Sequence, residues 1–181
     1  MNTIEVDGLV FEPFIEYDQI KKRIRLIGID LNVQYADKNP VFLGVLNGCF
    51  MFMADLMKQV HIPCEMSFVK LASYSGTNAG EIHELLGVGI DLTGRHVIIV
   101  EDIVDTGKSL AHTQSALEQL NVASISVCTL LLKPECLEQY LDNIMYVGFE
   151  IGKEFVVGYG LDYNGLCRNL PDIYRLKSAE E

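Results

Sequence analysis

Val97-Ile98-Ile99-Val100-Glu101-Asp102-Ile103-Val104-Asp105-Thr106-Gly107-Lys108-Ser109-Leu110 decides the fold. Its first four residues are apolar and β-branched, the pattern of a strand buried on both faces of a parallel sheet. The small and hydroxyl residues from Thr106 to Ser109 open a helix that the pattern carries to about Leu120. Between them stand three carboxylates, Glu101, Asp102 and Asp105. In open α/β sheets, ligands bind outside the carboxyl ends of the strands. The acidic turn therefore falls where chemistry is expected.

Successive backbone N–H groups at a helix start form an anion nest, and the helix dipole adds attraction. Gly107 lets the backbone approach a phosphate closely, and Ser109 adds a hydroxyl donor. Glu101 and Asp102 repel phosphate but suit ribose hydroxyls and a hydrated Mg²⁺. Nest and acids together read as a ribose 5-phosphate site. A P-loop is excluded despite the Gly107-Lys108-Ser109 ending, because its first glycine would fall at position 102, which is Asp.

Outward from this stretch, strands alternate with helices, the arrangement of a parallel-rich α/β sheet. Thr3 to Phe14 alternates around Asp7-Gly8 as a hairpin. Tyr17 to about Tyr35 is helical in spacing, Val41 to Leu46 a buried strand, Asn47-Gly48 a turn, and Phe50 to Val60 a helix. Cys64 to Leu71 reads as a strand and Leu85 to Ile90 as a short antiparallel one. Ser124 to Leu132 is a second buried strand ending in Lys133, and Pro134 opens a short helix. Tyr146 to Phe149 and Phe155 to Tyr159 are further strands, and Leu161 to Lys177 is mostly loop. Ser73 to about His83 is rich in hydroxyls and glycine; its composition fits a solvated connector or a mobile lid.

The 181 residues suffice for one domain with a full core, spanning residues 1–181. Five cysteines without a Cys-x-x-Cys pair disfavour a disulfide framework or a zinc site. The charged N-terminus lacks the apolar run of a signal peptide, and polar residues interrupt the stretch from Val41 to Met57, so a cytoplasmic protein without a membrane span is expected. A net charge of −11 disfavours a nucleic-acid surface. A phosphorylated ligand must then be met by a few local cations, amides and Mg²⁺ against the global field.

Glu101 through Ser109 resembles the phosphoribosyl pyrophosphate (PRPP) motif of the type I phosphoribosyltransferases, and its Glu-Asp opening is most similar to the hypoxanthine-guanine branch. Phe155-Val156-Val157-Gly158-Tyr159-Gly160-Leu161-Asp162-Tyr163-Asn164, with Arg168 beyond, is a second match. The resemblance runs from about Tyr17 to Arg168. It implies a mostly parallel central sheet flanked by helices, a small hood formed by the terminal segments, and a flexible lid containing Ser73 and Tyr74. It implies a Mg²⁺-dependent purine salvage enzyme that converts PRPP and a 6-oxopurine to a nucleoside 5′-monophosphate and pyrophosphate.

Residue by residue, the resemblance gives PRPP to Glu101, Asp102, Asp105, Thr106, Gly107, Lys108 and Ser109, with Asp105 catalytic. The purine falls to Lys133, Phe155, Val156 and Asp162, and pyrophosphate to Asn47, Gly48 and Arg168. Glu101, Asp102 and Asp162 are the implied metal ligands. From sequence alone Lys133 reads as a solvated strand-end lysine, and Phe155 and Val156 as ordinary core residues. The family often carries lysine where this chain has Asn47, which removes a cation but leaves the N–H donors. The family also holds the preceding peptide bond cis, so a cis Leu46–Asn47 bond is expected. A PRPP-sensing regulator that binds nucleic acid is the rival reading. Apolar residues on the Phe50–Val60 helix would suit a homodimer or homotetramer.

Overall fold

A computed structural model describes residues 2–73, 82–86 and 89–177. At its centre lies a six-stranded sheet. The strands are β3 (Val41–Leu46), β4 (Glu65–Ser73), β5 (Ile82–Leu86), β6 (His96–Val104), β7 (Ser124–Leu132) and β8 (Ile144–Glu150), in the order β5-β4-β3-β6-β7-β8. The β4-β3-β6-β7-β8 strands pair in parallel, and β5 adds to β4 antiparallel at one edge.

Side-chain alternation along the strands divides the core into two layers. Phe42 of β3 and Ile98 and Val100 of β6 face α1 (Tyr17–Gln34) and α2 (Phe50–Met57), where Ile20, Ile24, Leu31, Phe52 and Leu56 bury against them. Val41, Leu43, Val97 and Ile99 face the other way, onto Leu110 and Leu117 of α3 (Lys108–Glu118). Each fully buried isoleucine contributes about 1.5–3 kcal/mol relative to exposure. Helix α1 starts at Glu16, whose side chain and that of Gln19 form a reciprocal capping box.

A second, four-stranded sheet forms the expected hood from both chain ends. β1 (Ile4–Val6), β2 (Leu9–Ile15), β9 (Val156–Val157) and β10 (Ile173–Leu176) lie in the order β1-β2-β10-β9, all antiparallel. Phe11, Val157 and Tyr174 are its buried centre. Asp7 and Gly8 turn the first hairpin with φ of 49° and 79°, the left-handed pair that matches strand twist.

Several boundaries differ from the sequence reading. Phe155 to Tyr159 yields only the two-residue β9, in the hood, because Gly158, Tyr159 and Gly160 all turn left-handed. Helix α2 ends at Met57, ahead of the turn at Lys58, rather than at Val60. The antiparallel strand is Ile82–Leu86 rather than Leu85 to Ile90. Ser73 closes β4, and Ile82 and His83 begin β5, so both ends of the expected lid are strand. Its remainder, including Tyr74, lies outside the described residues. Phe50 is the exposed large apolar residue of α2, whereas Leu26, Ile29 and Val33 form an exposed apolar stripe on α1. No described helix is long and apolar enough to cross a membrane.

Candidate active site

The carboxyl ends of β3, β6 and β7 lie side by side because β6 pairs in register with both neighbours. The chain leaves β6 through Asp105 and Thr106 and enters α3 at Lys108. Gly107 is the N-cap at φ 83°, a conformation that other residues adopt only with strain. Glycine thus both turns the chain and exposes the first-turn amides that a helix leaves unpaired. A cavity of about 120 Å³ opens over this turn, lined by Glu101, Asp105, Thr106, Gly107, Lys108 and Ser109, among others. The expected nest residues, Thr106 to Ser109, line this cavity together with Glu101 and Asp105. Lys108 contributes backbone there, while its ammonium pairs with Glu138 at 2.8 Å.

Lys133 follows β7 directly. Its N–H donates to the Val104 carbonyl at 3.0 Å, which fixes it beside the end of β6. The buried Lys133 ammonium then lies 2.9 Å from Asp105 Oδ2. The two residues are 28 apart in sequence, and the parallel register of β6 and β7 brings them together.

Around Gly48 three segments converge. A Cβ on Gly48 would overlap the Asp102 carboxylate, and one on Gly160 would overlap the Gly48 carbonyl. The two glycines therefore let the β3 turn pack against the Asp102 side chain at the end of β6 and against the hood backbone at Gly160. The Leu46–Asn47 peptide bond is cis, as the resemblance implies. Past Gly160, Arg168 pairs with Asp162 at 2.6 Å and donates to the Gly160 carbonyl at 2.7 Å. Asp162 also accepts the Gly165 N–H at 2.8 Å. Phe155 stands 45% exposed at the hood edge, its ring braced by Phe11 and edge-on to Tyr163. Val156 is buried and registers with Arg175 of β10.

Burial dominates the electrostatics at the end of β6. It pushes the Glu101 carboxyl well above the usual range, and the neighbouring Asp102 charge adds to the effect. Burial pushes Asp102 up to about 6, against the lowering influence of its hydrogen bond from the Ile103 N–H and of Arg168. Two adjacent acids, desolvated and without a cation bonded to either among the described residues, suit a divalent cation or sugar hydroxyls. Asp162 differs, being already held by Arg168 and the Gly165 amide. Among the described residues, no three acids, histidines or cysteines form one metal cluster. Among these, Glu101, Asp102 and Asp162 are thus not assembled as a cage.

The motif reading missed the residues that pack against the turn at Thr106 and Gly107. Leu137 and Leu141 close over Gly107, the Glu138 N–H donates to the Thr106 carbonyl at 3.1 Å, and Gln139 reaches the Gly107 carbonyl at 3.3 Å. These residues carry no motif; only their place after Lys133 hints at them.

The phosphoribosyl transferase domain model matches residues 16–164. The chain belongs to the phosphoribosyltransferase family. Among its relatives, the hypoxanthine-guanine phosphoribosyltransferase of Streptococcus pneumoniae is 42% identical over 167 residues, covering 90% of this chain and 91% of that protein. The hypoxanthine-guanine-xanthine phosphoribosyltransferase of Tritrichomonas foetus is 38% identical over 90% of this chain and 89% of its own length. A crystal structure of hypoxanthine phosphoribosyltransferase from Staphylococcus aureus superposes with a TM-score of 0.86 at 36% identity, covering 92% of this chain and 91% of that one. Within the phosphoribosyltransferase family the resemblance to the hypoxanthine-guanine branch therefore extends along nearly the whole chain. The parallel sheet and terminal hood are the family's fold.

Proposed function

We propose that this chain is a purine salvage enzyme that transfers the phosphoribosyl group of PRPP to N9 of a 6-oxopurine, releasing pyrophosphate. The observation that carries the reading is the Lys133–Asp105 pair set beside the 106–109 turn, the buried Glu101 and the half-buried Asp102. Amides from Thr106 to Ser109 bind the 5′-phosphate. Glu101 and Asp102 accept the ribose hydroxyls.

Displacement at ribose C1 passes through an oxocarbenium-like centre, so the departing charge must be stabilised. Arg168 and the Gly48 amide meet the pyrophosphate, with Asn47 offering its own N–H where the family often has lysine. Glu101 and Asp102 fit Mg²⁺ by their donor chemistry, and Asp162 would join them on release from Arg168; the bound ion would neutralise pyrophosphate charge. Asp105 accepts or holds the proton at purine N7, which makes N9 a better nucleophile. Lys133 donates to the exocyclic oxygen of the 6-oxopurine, where adenine would present a competing donor. Phe155 offers its open ring face to the base, and the Val156 backbone reads the ring edge. Ser73 and Tyr74 belong to the segment that would cover the bound substrates and exclude water.

The acidic balance of the chain weighs against the nucleic-acid-binding regulator, as do its relatives. A single assay tests the enzyme reading. Protein, Mg²⁺ and PRPP are mixed with hypoxanthine, guanine, xanthine or adenine, and pyrophosphate is measured. Release with a 6-oxopurine and little with adenine is expected; no product with any base overturns it.

A further inference from the structure

Helix α2 and the turn after β9 meet at a side-chain contact that the proposed reaction does not use. Asp55 of α2 accepts a hydrogen bond from Tyr159 Oη at 2.7 Å and one from Tyr17 Oη at 3.2 Å on the same carboxylate oxygen. Lys58 Nζ holds the other oxygen at 2.8 Å. Tyr159 is fully buried with φ 50°, uncommon for a bulky side chain, and lies between two left-handed glycines. Burial, then the bond to Asp55, raises its hydroxyl above the ordinary phenol range, so it stays a donor.

The two ends of this contact are both tied to the pyrophosphate region. Helix α2 begins two residues after Gly48. On the other side, Gly160 follows Tyr159, abuts the Gly48 carbonyl, and accepts from Arg168. The Gly160 N–H returns to the Arg168 carbonyl at 2.9 Å, and the Tyr159 N–H to Leu170 at 2.8 Å. Any shift of Tyr159 along the helix therefore moves Gly160, Asp162 and Arg168 relative to Gly48.

We propose that Asp55 is a positioning residue that acts through Tyr159. It clamps the Gly158–Asp162 turn to α2 and so fixes the spacing between the Gly48 amide and the Asp162–Arg168 pair, the two sides between which pyrophosphate binds. This rests on the phosphoribosyl-transfer reading. The clamp acts on the pyrophosphate end of the substrate and not on the base, because Lys133 and Asp105 are held by the separate β6–β7 register, and Phe155 and Val156 are held ahead of the turn by β10, through the Leu176 N–H to the Phe155 carbonyl and the pairing of Val156 with Arg175.

The test is a comparison of steady-state constants in both directions for the wild type, Tyr159→Phe, Asp55→Ala, Asp55→Asn and Lys58→Ala. Tyr159→Phe keeps the ring and removes only the hydrogen bond, so it should fold. Asp55 also faces a cavity of about 320 Å³ lined by Tyr17, Lys21 and Lys58, which leaves room for water in place of a shortened side chain. Tyr159→Phe and Asp55→Ala should raise the KM for pyrophosphate and for PRPP about five- to tenfold, with the KM for purine base within about twofold of wild type. Asp55→Asn keeps an acceptor for Tyr159 and should recover most of the loss. Lys58→Ala breaks only the exposed ion pair and should leave all constants unchanged. An unchanged pyrophosphate KM in Tyr159→Phe, or an equal rise for every substrate, overturns the clamp. Absence of product from the wild type would instead overturn the reaction itself.

Discussion

Lys133 Nζ sits 2.9 Å from Asp105 Oδ2, a buried cation against a half-exposed acid at the ends of adjacent parallel strands. On a 6-oxopurine, O6 and N7 are neighbouring atoms on one edge of the ring. A donor and an acceptor already held at hydrogen-bond distance therefore match that edge without rearrangement, which is the condition for electrostatic preorganisation.

If Asp105 handles the N7 proton, removing its charge should act on the chemical step. Asp105→Asn keeps the size and the contact with Lys133 but cannot take a proton. Turnover should fall about hundredfold, the usual scale of a lost general base, while the KM for PRPP changes by less than about threefold. Near-normal turnover would remove Asp105 from the mechanism.

Lys133 makes a different prediction, concerning choice of base. Lys133→Met fills a similar volume without a donor. The KM for hypoxanthine should rise about tenfold or more, since a buried acceptor left unmet costs about 1–3 kcal/mol. Adenine should gain relative to hypoxanthine in kcat/KM, because the donor that opposes its amino group is gone. Unchanged discrimination between the two bases would return Lys133 to a purely structural role.

The pair of acids at the end of β6 should cost stability. The folded pKa of Asp102 is raised to about 6, so its ionisation is penalised by folding. By linkage, the contribution favours the folded state fully below the unfolded carboxylate range, about 4, and is lost as pH rises through about 6. Asp102→Asn has no such loss and can keep the hydrogen bond from the Ile103 N–H. At pH 7 and without ligands the variant should be more stable by on the order of 1–2 kcal/mol, and the difference should shrink toward pH 4. Its activity should be poorer, the trade expected of a group kept for function. Thermal unfolding at several pH values reads both the sign and the window.

The parts legible in the sequence were those encoded locally. The run Val97–Val100 is β-branched and followed by acids, so its burial on two faces follows from pattern alone. The Asp7-Gly8 hairpin and helix Tyr17–Gln34 were legible for the same reason. What pattern missed depends on distant partners. Phe155 to Tyr159 has strand composition, yet hydrogen bonds from Tyr159 to Leu170 and Gly160 to Arg168 curl the chain after Val157. Asp55 looks like an ordinary polar position on a helix; only the fold puts Tyr159 across from it. Leu137 and Leu141 carry no motif and come to pack against Gly107 through the loop from β7 to β8.

Gly48 allows the strictest test of how the site is assembled. Its φ is not left-handed, so an alanine there would not strain the backbone; the obstacle is the overlap of the new Cβ with the Asp102 carboxylate. Either the turn after β3 or the Asp102 side chain must shift, and the Gly160 backbone behind Gly48 resists the first. Gly48→Ala should destabilise by about 1–3 kcal/mol, the scale of overpacking. It should also raise the pyrophosphate KM about tenfold or more, because the amide is displaced with the turn. Shortening the obstructing acid separates the two effects. In Gly48→Ala combined with Asp102→Ala the overlap is gone, so stability should exceed the sum of the single changes by more than about 0.5 kcal/mol, the threshold for contact coupling. Activity should not return, since the acid itself is required. Strict additivity of the two stability changes would mean that Gly48 and Asp102 do not touch, and the convergence of β3, β6 and the hood at this point would have to be abandoned.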